Sequence, residues 1–427
     1  MSRTWVAGTA SAPSTGFLRD FQELAEELRS RFRAWERAPE RWSEGFFSEL
    51  ALRAFDLQFR RNVPYRRFCE ARGITPSGVS SWREIPPVPT AAFRDVPLVV
   101  GSPEEAALEF VTSGTTGGPE RRGRHLVRDP KLYRASLEAA FRVFVVQSDS
   151  RLRMLPLLPR FTKERASSLG WMVEAVCQRF GEGEPPLPAG AEGLDWSVAD
   201  LALTAALESG EPLCILATTL AVDEWMRRLA RDGVTVRLPA RSRLMDTGGT
   251  KGRPGVERER VAREVEARLG IEPRWILNEF GMTELLSQRY ATLEVPAGEA
   301  AAVRGAASEA ATDGPPRRRA SARDRPVTSA CGPAAMAIFV EAGLLYGPPW
   351  LRTRVLDPVS LAELPEGETG ILCHFDLANA GSVCAVLTED LGRVRDGGVE
   401  WMGRMPGAAS RGCSLATAEL LAAQQRA

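Results

Sequence analysis

The stretch from Phe110 to His125 reads FVTSGTTGGPERRGRH, a run of hydroxyl side chains and glycines followed by Arg121, Arg122 and Arg124. Gly114, Gly117 and Gly118 permit positive φ and close backbone approach, while Thr112, Ser113, Thr115 and Thr116 add hydroxyl donors to the backbone N–H groups. Such a loop, entered from an apolar Phe-Val pair, suits the cradling of phosphate. No Gly-Lys-Ser/Thr follows, so it is not a P-loop, and a plain surface loop has the same composition. Three later stretches have comparable potential. LMDTGGTKGRPGVERERV (244–261) sets Gly248 and Gly249 in a turn before a helix, with Lys251 and Arg253 able to neutralise phosphate or carboxylate. LNEFGMTELLSQRY (277–290) ends a strand at Phe280 and breaks at Gly281. Thr283 and Glu284 follow, a hydroxyl and a carboxylate suited to phosphate and Mg²⁺, or equally to a helix N-cap with a first-turn Glu. TEDLGRV (388–394) places Asp390 in a turn, and WMGRMPGAASRGCSL (401–415) sets Cys413 near Arg404 and Arg411, cations that favour a thiolate.

These residues need a scaffold to bring them together. FLRDFQELAEELRSRFRAWERA carries Phe17, Leu18, Phe21, Leu24, Leu28 and Phe32 at helical spacing, and FFSELALRAFDLQFRRN is a second amphipathic segment. REIPPVPTAAFRDVPLVVG is too proline-rich for a helix. Four short apolar runs then read as strands: 152–159, 212–219, 234–239 and 274–280. Helical patterns lie between them, in YRASLEAAFRVFV, LGWMVEAVCQRF, AVDEWMRRLARD and VERERVAREVEARLG. This alternation predicts an α/β fold with a parallel sheet covered by helices. Beyond Trp350 the segments LRTRVLD, GILCHFD, SVCAVLTED and VEWMG predict a smaller antiparallel or barrel-like unit. The organisation expected is an N-terminal helical region (1–84), an α/β core (85–296), a low-complexity flexible insertion (297–335), and a β-rich unit with a C-terminal tail carrying Cys413 (336–427).

Composition narrows the function classes. Lys plus Arg (55) equals Asp plus Glu (55), so no overall field favours nucleic acid or an anionic membrane. No apolar run is long enough to span a bilayer, and the opening residues lack a signal-peptide pattern, so a cytoplasmic location is expected. Seven scattered cysteines without a CxxC pair, and two histidines, argue against a zinc site and for reduced thiols.

The order TSGTTGGP, Gly-Gly turn, FGMTE, TEDLG and GR resembles the adenylate-forming superfamily of acyl- and aryl-activating enzymes. In finer detail IPPVPTAAFRDV, RHLV, DTGGTKGR, EFGMTELLSQRY, GPPWLRTRVLDP, FDLANAGSV and GRMPGAASRGCSL are similar to the LuxE-like acyl-protein synthetases, over roughly residues 85–420. That resemblance implies the large N-terminal domain of the adenylate-forming fold, without the usual small C-terminal catalytic domain. It implies ATP and Mg²⁺ as cofactors, a fatty or related carboxylic acid as substrate, and an acyl reductase as partner. Ser113, Gly114, Thr115, Thr116 and Gly117 would hold the β- and γ-phosphates. Gly248 and Gly249 would line the adenine pocket with Phe280 and Gly281, Thr283 would contact the α-phosphate, and Glu284 would hold Mg²⁺. Asp390 would bind the ribose, Arg404 would fall at the hinge, and Cys413 would accept the acyl group. Glu120 stands where most of the superfamily has Lys, so Arg121, Arg122 or Arg124 would supply that charge, with Lys251 standing in for the absent C-terminal Lys. His125 would order the loop, contact the acyl phosphate or serve structurally. Two other readings fit the same motifs: a ligase that loads coenzyme A or a carrier protein, and a non-catalytic subunit of a reductase complex.

Overall fold

The computed structural model describes residues 15–112, 122–158, 161–162, 166–186, 189–190, 193–248, 257–294, 341–405 and 411–425. The glycine-rich loop at 113–121, the segment 249–256 with Lys251 and Arg253, and the predicted insertion at 297–335 lie outside the described residues.

Three helices open the chain: α1 (Thr15–Arg37), α2 (Glu44–Arg61) and α3 (Val63–Ala71). The α1 stripe is buried where described, at Phe21, Leu24, Leu28 and Phe32. Asn62 separates α2 from α3, accepts from the Tyr65 N–H, and donates through Nδ2 to the Ser382 carbonyl at 3.1 Å. One short break thus caps a helix and ties the N-terminal helices to a turn 320 residues away.

A two-residue strand β1 (Val88–Pro89) and the hairpin β2 (Leu108–Val111) and β3 (Arg124–Val127) lead into α4 (Pro130–Phe141). Then follow β4 (Arg153–Leu157), α5 (Ser168–Phe180), the small hairpin β5 (Ala189–Gly190) with β6 (Gly193–Leu194), and α6 (Trp196–Ser209). Next come β7 (Leu213–Thr218), α7 (Thr219–Arg231), β8 (Arg243–Thr247), α8 (Arg258–Leu269), β9 (Ile276–Phe280) and β10 (Arg289–Thr292). These strands form one sheet in the order β10-β9-β8-β7-β4, parallel except for the antiparallel edge strand β10. Period-two alternation divides its side chains between two cores. Cys214, Leu216, Met245 and Leu277 join the cluster that includes α1 to α5, while Ile215, Ala217, Leu244 and Ile276 pack under α6, α7 and α8.

The second sheet holds β11 (Leu351–Leu356), β12 (Gly370–Asp376), β13 (Ala385–Arg395) and β14 (Gly398–Arg404) as an antiparallel set, with β1 parallel to β13. The last helix is α9 (Arg411–Gln425).

Two expectations change. Residues 234–239 form no strand, and the sheet position is taken by Arg243–Thr247 instead. The Val236 and Leu238 amides donate to the Arg268 and Leu269 carbonyls, so this segment satisfies the otherwise unpaired C-terminal carbonyls of α8. The C-terminal tail, for which the sequence pattern predicts no element, forms a helix over Arg411–Gln425. Ala416 and Leu420 are buried, Glu419 pairs with Arg72 at 2.6 Å, and the Gln424 amide donates to the Pro64 carbonyl. The apolar face of this short helix packs against α3, and that packing supports it.

Candidate active site

The carboxyl ends of β7, β8 and β9 stand in register at Thr218, Thr247 and Glu279. In open α/β sheets, ligands bind outside this edge. At β8, Gly248 adopts a φ of +79°, a conformation that a side chain would strain, and the chain turns away. The turn is anchored from α7: the Thr219 hydroxyl lies 2.7 Å from Asp246 Oδ2 and 2.8 Å from the Gly248 carbonyl. Arg258 pairs with Asp246 at 3.1 Å.

After β9 the chain makes no helix, so the N-cap alternative for Thr283 and Glu284 is excluded; residues 281–288 form an irregular turn that returns as β10. Its backbone is held by three side chains from distant segments. His125 Nδ1 donates to the Thr283 carbonyl at 2.7 Å, and its Nε2 accepts from the Ser382 hydroxyl at 2.9 Å. Because a carbonyl only accepts, this geometry fixes the Nδ1–H tautomer. Burial pushes the imidazole pKa down to about 4, so His125 is a neutral structural pin. Asn379 donates to the Glu284 carbonyl at 2.8 Å. Asp376 accepts from the Leu286 amide, the Ser287 hydroxyl and the Ala378 amide, and its burial raises its pKa to about 6.

With the turn fixed, three of the predicted residues meet. Arg404 Nε lies 3.7 Å from Asp390 Oδ1, and the Trp401 side chain hydrogen-bonds to Asp390. Burial raises the Asp390 pKa, and Arg404 and Trp401 lower it. Glu284 is buried, and that burial pushes its carboxyl up to about 7; Arg404 pulls the value down and Asp390 pushes it up. Phe280 sits between His374 and Trp401, with ring centroids 6.2 and 6.3 Å away. The β9 end, the following turn, Asp390 and Arg404 therefore border one edge of the molecule. Among the described residues the Arg404 guanidinium serves both carboxyls, which repel each other and which a further cation would stabilise in their charged form.

Gly281 has a steric reason to be glycine. A Cβ at that position would lie 2.4 Å from Glu279 Oε1. Glu279 is itself buried, accepts from the Thr247 hydroxyl, and is raised to about 7 by burial and further by Asp246.

Of the other predicted residues, Ser113, Gly114, Thr115, Thr116, Gly117, Gly249, Lys251 and Arg253 lie outside the described residues. Cys413 lies in the first turn of α9, with its side chain also outside them. Sequence reasoning missed Thr247, Glu279, Asp376 and Asn379. For the last three the signal was acidic or amide residues inside otherwise apolar strand ends, ILNEF and CHFDLAN.

Comparison with a solved structure identifies the scaffold. 2-Hydroxyisobutyryl-CoA ligase, solved in the postadenylation state with 2-HIB-AMP, superposes with a TM-score of 0.51 at 14% identity, over 86% of this chain and 69% of that one. The fold is that of the adenylate-forming ligases. No protein-family model matches the chain. In sequence it is similar to the long-chain-fatty-acid–luciferin-component ligases of Vibrio harveyi, 31% identical over 84 residues, and Aliivibrio fischeri, 30% identical over 83 residues. Those matches span 18% and 17% of this chain, and 22% of each relative's length. The large-domain architecture expected from the motif order is thus the one observed.

Proposed function

We propose that the chain is an ATP-dependent acyl ligase that activates a fatty or related carboxylic acid as its acyl adenylate and loads the acyl group on Cys413. The observation that carries the reading is the meeting of Glu284, Asp390 and Arg404 at the carboxyl edge of the parallel sheet.

A carboxylate oxygen attacks the α-phosphorus of ATP, and pyrophosphate leaves with the electron pair of the broken P–O bond. The Cys413 thiolate then attacks the acyl carbonyl, AMP leaves, and a thioester remains. In this reading Thr283 meets the α-phosphate, and the TSGTTGGP loop with Gly248 and Gly249 wraps the nucleotide. Asp390 accepts from ribose hydroxyls and Arg404 offsets phosphate charge. Among the described residues no three His, Cys, Asp or Glu side chains converge. Glu284 alone would hold Mg²⁺, which fits an ion bound by one carboxylate together with substrate phosphates. When bound, Mg²⁺ neutralises phosphate charge that builds on the leaving pyrophosphate. The chain's own task is to keep Glu284 ionised and its backbone fixed, through Arg404 and Asn379. The partial likeness to the luciferin-component ligases supports a long-chain acid and delivery to a reductase.

A second acceptor is favoured by one observation. Neighbouring residues of β13 face opposite sides: Asp390 toward Glu284, and Glu389 toward a groove of about 300 Å³ lined also by Ser414 and Thr417 of α9. With α9 docked there, coenzyme A or a carrier thiol would take the acyl group instead. Incubation with ATP and labelled acid distinguishes the two. Hydroxylamine-labile label on the protein that disappears in Cys413→Ser supports self-loading. Acyl-CoA formation that survives Cys413→Ser supports the second acceptor, and absence of pyrophosphate exchange with every acid refutes adenylation.

A further inference from the structure

A second row of polar groups crosses the same sheet edge, on the face covered by α4. Thr247, Glu279 and Tyr290 are register partners across β8, β9 and β10, so their side chains stand side by side on one face. The Thr247 hydroxyl donates to Glu279. Tyr290 is fully buried, and its hydroxyl has no hydrogen-bond partner among the described residues. From the α4 side, buried Tyr133 lies close enough to the Gln288 side chain for it to lower the phenol pKa, and Gln288 Oε1 has no hydrogen-bond partner among the described residues. Burial, reinforced by the nearby Glu279, keeps both phenols protonated. Tyr133 also stacks on Trp171 at 4.6 Å, and Phe110 packs edge-on against both rings. Phe110 belongs to β2, the strand that runs into the TSGTTGGP loop.

Buried polar atoms are mostly paired, because each unpaired one costs about 1–3 kcal/mol. This row leaves Tyr290 Oη and Gln288 Oε1 unpaired beside a carboxyl with no ion-pair partner among the described residues. It does so at the strand ends where such sheets take ligands, next to an aromatic wall that includes Phe110 of β2. We propose that this row recognises the acid substrate, and that the acid carries a hydrogen-bond donor, a hydroxyl or amino group, which pairs with Glu279 and Tyr290. The assignment rests on the adenylation reading. It narrows the substrate class from plain alkyl acids to donor-bearing ones, since an unsubstituted chain end would desolvate the row and leave it unpaired.

Sites built to hydrogen-bond a substrate group reject the analogue lacking it by as much as about 10⁴-fold. The test is pyrophosphate exchange with matched acids: hexanoic against 6-hydroxyhexanoic and 6-aminohexanoic acid, and benzoic against 4-hydroxybenzoic and 4-aminobenzoic acid. The donor-bearing member of at least one pair is expected to exchange with kcat/KM about 10²-fold higher. Glu279→Leu should lower that value and raise the value for the plain partner, with Glu279→Gln intermediate. Thr247→Val, which frees Glu279 of its one side-chain hydrogen bond among the described residues, should move the ratio in the opposite direction, toward the donor-bearing acid, and guards against a misfolded Glu279→Leu. Equal values for matched acids in the wild type, or variants that slow both members equally, overturn the inference while leaving adenylation intact. No exchange with any acid overturns the adenylation reading itself.

Discussion

Two carboxyl-bearing regions border the same turn and differ in what surrounds the charge. On one side Glu284 and Asp390 share Arg404, whose side chain is 62% exposed, so ions and phosphate can approach. On the other, Glu279 sits under α4 with a threonine hydroxyl and two phenols nearby, and Asp246 only adds negative charge. Burial raises both Glu284 and Glu279 to about 7, yet the remedy differs. The first region can be completed by a cation and the second by a neutral donor. A shifted pKa alone therefore does not tell a metal-binding carboxylate from a substrate-reading one; the neighbouring groups do.

The largest effect expected is at the open region. Glu284→Gln keeps the shape and removes the charge that would hold Mg²⁺, so exchange should fall about 10²–10³-fold. Glu279→Gln should spare exchange with the best acid far more. Equal losses in the two variants would break the distinction between the regions.

Stability against pH sharpens it next. Both carboxyls have folded pKa values above the unfolded value of 4.5, so the unfolded chain releases their protons first as pH rises. Their contribution is full below about pH 4.5 and lost as pH passes through about 7, on the order of 3 kcal/mol per group. Asp376, raised to about 6, acts in the same direction. The protein without ligands should melt at lower temperature at pH 8 than at pH 5. Mg·ATP should recover more of that loss in wild type than in Glu284→Gln, while Glu279→Gln flattens the slope without weakening the recovery. A melting temperature that rises from pH 5 to 8 would sink this account.

A smaller effect probes the turn between the regions. His125→Ala leaves the Thr283 carbonyl and the Ser382 hydroxyl without partners, a loss of about 2 kcal/mol by chemical denaturation. Since His125 is neutral above about pH 4, the loss should be the same at pH 6 and pH 9. A loss confined to pH 6 would mean that a charged imidazole was acting.

How legible these regions were depends on how local their determinants are. Gly281, Thr283 and Glu284 fall within a few residues on a strand-to-turn break, and Asp390 and Arg404 lie on one hairpin, so their spacing carried the information. The clamps on that turn come from His125, Asp376 and Asn379, at separations of 89 residues or more. No periodicity reveals such pairs. The polar row was hidden for another reason: Thr247, Glu279 and Tyr290 become neighbours only through strand register. The misplaced strand at 234–239 has the same origin, since its alternation is genuine but the amides of Val236 and Leu238 cap a helix instead of joining a ladder.

Arg404 offers the finest test, because it is what the open region has and the more buried one lacks. Its pairing with Asp390 at 3.7 Å is too long and too exposed to matter much for folding, so Arg404→Ala should cost no more than about 1 kcal/mol of stability. Its electrostatic role reaches further. Arg404 lowers the Glu284 pKa, and a metal-holding carboxylate must be ionised. Removing the guanidinium should move the acid limb of the exchange pH profile upward, and KM for ATP should rise roughly ten-fold, less at high salt. Glu279 draws no stabilisation from Arg404, so the discrimination between matched acids should stay at its wild-type ratio. If Arg404→Ala changed that ratio and left the acid limb in place, the guanidinium would be serving the acid, and the division of labour between the two carboxyls would have to be reversed.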